Sequence, residues 1–113
     1  MNAINEKIDA FSIGQRDFSP IEIINAIRRT IKCMSWGSHA WRTIGKTKGF
    51  RFAVQGRHHK GHVYVVLAWD DTFTLYFTTR QGRILEIKQM IYIDQLVEVI
   101  DRKVEYVPIY KNN

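Results

Sequence analysis

Apolar side chains fall on every second position through most of the stretch from Ser38 to Ile91, and a segment with that period settles as strands with one apolar and one mixed face. Phe50, Phe52 and Val54 alternate with Arg51, Ala53 and Gln55. Val63, Val65, Leu67 and Trp69 alternate with His62, Tyr64, Val66 and Ala68. Phe73, Leu75 and Phe77 alternate with Thr74, Tyr76 and Thr78, and Leu85 and Ile87 with Glu86 and Lys88. Turn-forming residues separate these runs at regular intervals, which predicts an antiparallel meander. Register is constrained because a slip of one residue turns every side chain over. A three-residue loop at Asp70-Asp71-Thr72 pairs Leu67 with Leu75 and Val65 with Phe77. A second at Arg80-Gln81-Gly82, with Gly82 in the left-handed position, pairs Phe77 with Leu85 and Leu75 with Ile87. A six-residue connection from Gly56 to Gly61 pairs Val54 with Val63 and Phe52 with Val65.

Helical signals flank the meander. Ser19-Pro20-Ile21-Glu22 combines an N-cap serine, a proline at the first helical position and a capping-box glutamate. From there a helix is predicted to run toward Gly37, with Ile23, Ile24, Ile27, Ile31 and Met34 as its buried stripe and Cys33 on its polar side. A second helix is predicted over Asp94 to Glu105, with Ile93, Leu96, Val97, Ile100 and Val104 buried and Asp94, Glu98, Asp101 and Glu105 opposite. Pro108 stops it.

The predicted class is α+β: an N-terminal helix, a four- to five-stranded antiparallel meander and a C-terminal helix, with both helices on one face of the sheet. A chain of 113 residues holds one such domain, 1–113, in which 1–18 show no clean period and 107–113 form a tail. No run reaches the roughly 18 uncharged apolar residues needed to span a bilayer. No secretory leader is recognisable, and the single Cys33 has no intramolecular disulfide partner, so a cytoplasmic location without membrane attachment is expected.

The net charge of +6 is unevenly distributed. Between Ile23 and Trp69 the chain carries nine basic residues (Arg28, Arg29, Lys32, Arg42, Lys46, Lys48, Arg51, Arg57 and Lys60) and no acid, together with His39, His58, His59 and His62. Such segregation predicts a positive face and a polyanionic or acidic partner. Two loops in this segment, Lys46-Thr47-Lys48-Gly49 and Gly56-Arg57-His58-His59-Lys60-Gly61, are glycine-containing and basic, suited to following a phosphate backbone. The expected register aligns Arg51, Val66, Tyr76 and Glu86 across the sheet beside a second row of Ala53, Tyr64 and Thr78. Tyr64 and Tyr76 would then stack unpaired bases on the face opposite the helices.

Other constellations read as structural. His58, His59 and His62 lack the carboxylate and thiolate companions of a metal site, so no metal and no cofactor is expected. Asp70-Asp71 is ordinary turn chemistry. Gly37-Ser38-His39 is similar, over those three residues, to the glycine-serine-histidine motif of small bacterial RNA-cleaving toxins. This chain departs from that family in its greater length, in the helix directly before the motif and in its extra strands. The resemblance implies His39 as a general base toward a ribose 2′-hydroxyl.

The leading expectation is a small, non-catalytic module that contacts nucleic acid, single-stranded DNA or RNA, through the acid-free segment. The first alternative is a protein-interaction or inhibitor module, of the kind encoded by phages and mobile elements, docking an acidic partner. The second is an RNA-cleaving enzyme using His39. Self-association is compatible with each.

Overall fold

The computed structural model describes residues 17–45 and 47–105; the remaining N-terminal residues, Lys46 and the tail lie outside it. Helix α1 spans Pro20–Arg28 and a short α2 spans Ile31–Met34. Five strands come next, β1 His39–Ile44, β2 Gly49–Gln55, β3 Lys60–Leu67, β4 Phe73–Thr78 and β5 Ile84–Ile91. A 3-10 turn at Ile93–Gln95 then leads into α3, Leu96–Val104. The sheet order is β1-β2-β3-β4-β5, every pair antiparallel, so the α+β class and the meander stand, with five strands. Among the described residues no helix is long and apolar enough to cross a membrane.

The first helix corrects the expectation of one continuous element. Pro20 starts it, but the Ser19 side chain makes no capping bond. Thr30 divides it: in extended backbone, its hydroxyl donates to the Ile27 carbonyl (2.7 Å) and accepts from the Cys33 amide (3.3 Å). One side chain thus closes α1 and caps α2, as threonine does when its hydroxyl competes with the helical ladder. The break re-phases the next turn. Ile31 and Met34, expected in the core, are 85% and 80% exposed, whereas Cys33, expected on the polar side, is buried with Trp36.

The core cluster joins Ile24, Ile27, Cys33 and Trp36 of the first helical region and Leu96, Ile100 and Val104 of α3 to one face of the sheet. That face carries Phe50, Phe52, Val54, Val63, Val65, Leu67, Phe73, Leu75 and Phe77, with Ile91 from β5. Trp41 of β1 stacks on Phe52 at 4.0 Å between ring centres. Asp101 is a further correction: instead of lying on an exposed acidic stripe it is buried, and its Oδ1 accepts the Trp36 indole N–H at 2.9 Å.

Register differs from expectation in two ways. β2–β3 pairs Phe52 with Val63 and Phe50 with Val65, and β3–β4 pairs Leu67 with Phe73, Val65 with Leu75 and Val63 with Phe77. These are slips of two residues, which preserve the buried face because the side-chain period is two. β4–β5 slips by one: Phe77 faces Glu86, Leu75 faces Lys88, Tyr76 faces Ile87 and Thr78 faces Ile84. Irregularities between Phe77 and Thr78 and between Phe73 and Leu75, the latter alongside Met90 at φ 61°, absorb the change. Leu85 is therefore outside the core, as are Trp69 beyond the end of β3 and Ile93 in the 3-10 turn, both expected to be buried, and Glu86 stands on the core-cluster side, where it meets Lys103 of α3 at 2.8 Å.

Candidate nucleic-acid interface

Folding returns acids to the acid-free segment. Lys32 contacts Glu98 at 2.6 Å and Asp101 at 3.9 Å, Lys48 contacts Asp17 at 3.0 Å, and Arg57 contacts Glu105 at 3.6 Å. The Lys32–Glu98 hydrogen bond raises the lysine's pKa and lowers the glutamate's, and Lys48 lowers that of Asp17. Three of the nine predicted cations are thus already matched. Arg28 lies 5.8 Å from the centre of the Trp41 ring, Arg29, just past the end of α1, and Lys60 of β3 are exposed, and Lys46 lies outside the described residues.

Two predicted contact residues are corrected outright. His59 is 5% exposed, packs edge-on against Phe77 and hydrogen-bonds through Nε2 to the His62 carbonyl, while His58 stays exposed in the same turn. Burial lowers the His59 pKa, which disfavours the charged imidazolium there. Tyr64 is 7% exposed, so its ring is not an open stacking platform; Tyr76 is half-buried, and burial raises its phenol pKa.

What remains is a compact cationic patch on the sheet face opposite the core cluster. Here the register brings together residues expected in separate rows: Arg42 faces Arg51, Arg51 faces Tyr64, Tyr64 faces Tyr76 and Tyr76 faces Ile87. The slip in β5 removes Glu86 from this row. In the adjacent row His39 faces Ala53, Ala53 faces His62 and His62 faces Thr78. Plain alternation would put His39 and Arg42 on opposite faces. The register shift between them, with Ala40 held at φ 55°, inserts one residue and turns both to the same side. A non-glycine residue in the left-handed region is strained, and such strain clusters at functional sites.

Electrostatically the patch is one-signed. Among the described residues Arg42, Arg51 and Arg80 have no ion-pair partner. The His62 pKa is lowered by partial burial first, then by the charges of Arg51, His39, Arg80 and His59. Its Nδ1 is buried without a hydrogen-bond partner among the described residues, and its ring sits edge-on to Tyr64 at 6.4 Å. His39 is exposed and donates from Nδ1 to the Gly37 carbonyl at 2.9 Å, which leaves Nε2 as its outward nitrogen. Sequence reasoning missed His62 and Arg80 as patch members because only folding brings them together: register sets His62 in the row next to that of Arg51, and the charge of Arg80 is felt at His62.

A recess of about 220 Å³ lies at the other end of the same face, lined by residues that include Val66, Asp70, Thr72, Thr74, Tyr76 and Gln89. Among the described residues no group of three or more histidine, cysteine or carboxylate side chains is arranged to hold a metal ion. No family model, no curated protein and no solved structure matches this chain.

Proposed function

We propose that this chain is a non-catalytic, single-strand nucleic-acid binding module, with its helices on the core-cluster face and its ligand on the other. One observation carries the reading: Arg42 and Arg51 are held directly opposite each other, beside His39, His62 and Arg80, with no carboxylate paired to these arginines among the described residues. Like charges opposed across strands cost stability. A fold that keeps them together, and sends Glu86 to the other face, is suited to an anion that spans both. A phosphate accepts from two guanidinium forks in this way, and the half-buried ring of Tyr76 in the same row offers a base a stacking partner. Anisotropy titration of labelled single strands against salt tests this. Affinity should fall steeply with salt, and Arg42→Gln should weaken binding to every sequence alike.

The His39–Gly37 hydrogen bond favours a second reading, RNA cleavage with Nε2 of His39 as the base. Intact RNA after prolonged incubation with the unmutated protein, across the imidazole titration range, is the result expected of a binding module. Cleavage abolished by His39→Ala would establish the enzyme instead.

A further inference from the structure

The recess and the arginine pair share more than a face. Tyr76 lines the recess and also belongs to the row that begins at Arg42 and Arg51. Adjacent strands lie about 4.8 Å apart, so the backbones of Arg51 and Tyr76 are separated by about 10 Å. An extended arginine side chain covers much of that span, and a sugar covers the rest. At about 220 Å³ the recess is smaller than a typical drug-sized ligand site and matches a single planar ring system.

Its lining has a definite hydrogen-bonding character. Val66, Thr74 and Tyr76 belong to the sheet, the β3–β4 connection adds Asp70 and Thr72, and β5 adds Gln89. Asp70 Oδ1 accepts from the Thr72 amide at 3.1 Å and from its hydroxyl at 2.6 Å. These bonds hold the Asp70 carboxyl below the usual carboxylate range, an acceptor at any neutral pH. Both end on Oδ1, so Oδ2 retains acceptor capacity, while the Gln89 amide supplies a donor and an acceptor. Carboxylate and amide at one end of the face and arginines at the other also orient a nucleotide: its phosphate is attracted to the patch and repelled from Asp70.

We infer that this recess is a nucleobase subsite that prefers bases with an exocyclic amino group, taking the base of a nucleotide whose phosphate rests on Arg42 and Arg51. Cytosine offers its exocyclic amine as a donor to the carboxylate, whereas uracil presents a carbonyl oxygen at the same position, which the carboxylate repels. The inference rests on the nucleic-acid reading proposed for the arginine pair.

Short labelled oligo-dC and oligo-dU, which differ at that position, distinguish the two at pH 7.5. Oligo-dC should bind about tenfold more tightly than oligo-dU. Gln89→Ala, an exposed position, and Asp70→Asn, which keeps the oxygen that Thr72 bonds, should each shrink that ratio without changing the salt slope. Equal affinity for the two strands, with a steep salt slope retained, overturns the subsite and leaves phosphate binding standing. Binding to neither strand overturns both. A preference for oligo-dC that survives both substitutions overturns the assignment of the recess.

Discussion

If the Arg42–Arg51 pair is a strained arrangement kept for a ligand, removing one charge should stabilise the free protein. Arg42 is the better position because it is exposed, so Arg42→Gln removes charge with little packing. Opposed residues in an antiparallel pair have Cβ atoms about 4.5–5.5 Å apart. With guanidinium groups about 6 Å apart in a water-like dielectric, their repulsion is about 0.7 kcal/mol. For a domain of this size that corresponds to a rise in Tm of about 3–5 °C. Circular dichroism melts at low salt should show the gain, and it should shrink as ionic strength approaches about 0.15 M, where the Debye length is about 8 Å. A short oligonucleotide should raise the Tm of the parent more than that of the variant, because only the parent has the full repulsion to relieve. A loss of about 1 kcal/mol or more in Arg42→Gln would refute the reasoning, since it would mean that the arginine is matched within the fold.

Two further outcomes are expected from buried polar groups. Asp101→Ala leaves the Trp36 indole N–H without its acceptor in the core and should cost about 1–3 kcal/mol in urea unfolding, whereas Asp101→Asn keeps Oδ1 and should cost less. His59 and His62 both have folded pKa values lowered chiefly by burial, so the unfolded chain binds more protons. Stability should be full above the ordinary imidazole pKa of about 6.5 and be lost as pH falls through that value toward the depressed folded ones. Melts from pH 7.5 to 5 should show the decline, and His59→Gln should flatten part of it.

Much of the sheet was legible because its signals are redundant. Alternation in four segments and a common apolar face made the meander and the faces of β2, β3 and β4 readable even where the pairing was two residues out, since such a slip moves no side chain across the sheet. β5 was not readable, because a bulge changes parity without a distinctive residue to announce it; Met90 and Ala40 adopt left-handed backbone that glycine or asparagine would have advertised. Thr30 looked like an ordinary helical residue, yet its hydroxyl bonds locally and re-phases everything up to Trp36. The charge pattern overstated the interface because ion pairs join residues distant in sequence: Lys32 with Glu98, Lys48 with Asp17 and Arg57 with Glu105. Of the predicted contact residues, Arg42, Arg51 and Tyr76 share a row with an accessible or half-buried side chain, while Tyr64 and His59 are buried.

The central claim is that the opposed arginines, and not basicity in general, hold the phosphates. It is tested most directly by the slope of log affinity against log salt for a single-stranded oligonucleotide, measured for the parent, Arg42→Gln, Arg51→Gln and Arg57→Gln. Each phosphate contact on a single strand contributes about 0.7 to that slope. The account predicts that Arg42→Gln and Arg51→Gln each lower it by about that amount, while Arg57→Gln, whose guanidinium is already matched by Glu105, leaves it close to the parent. Equal slopes for all three variants, whether reduced together or unchanged together, would contradict it.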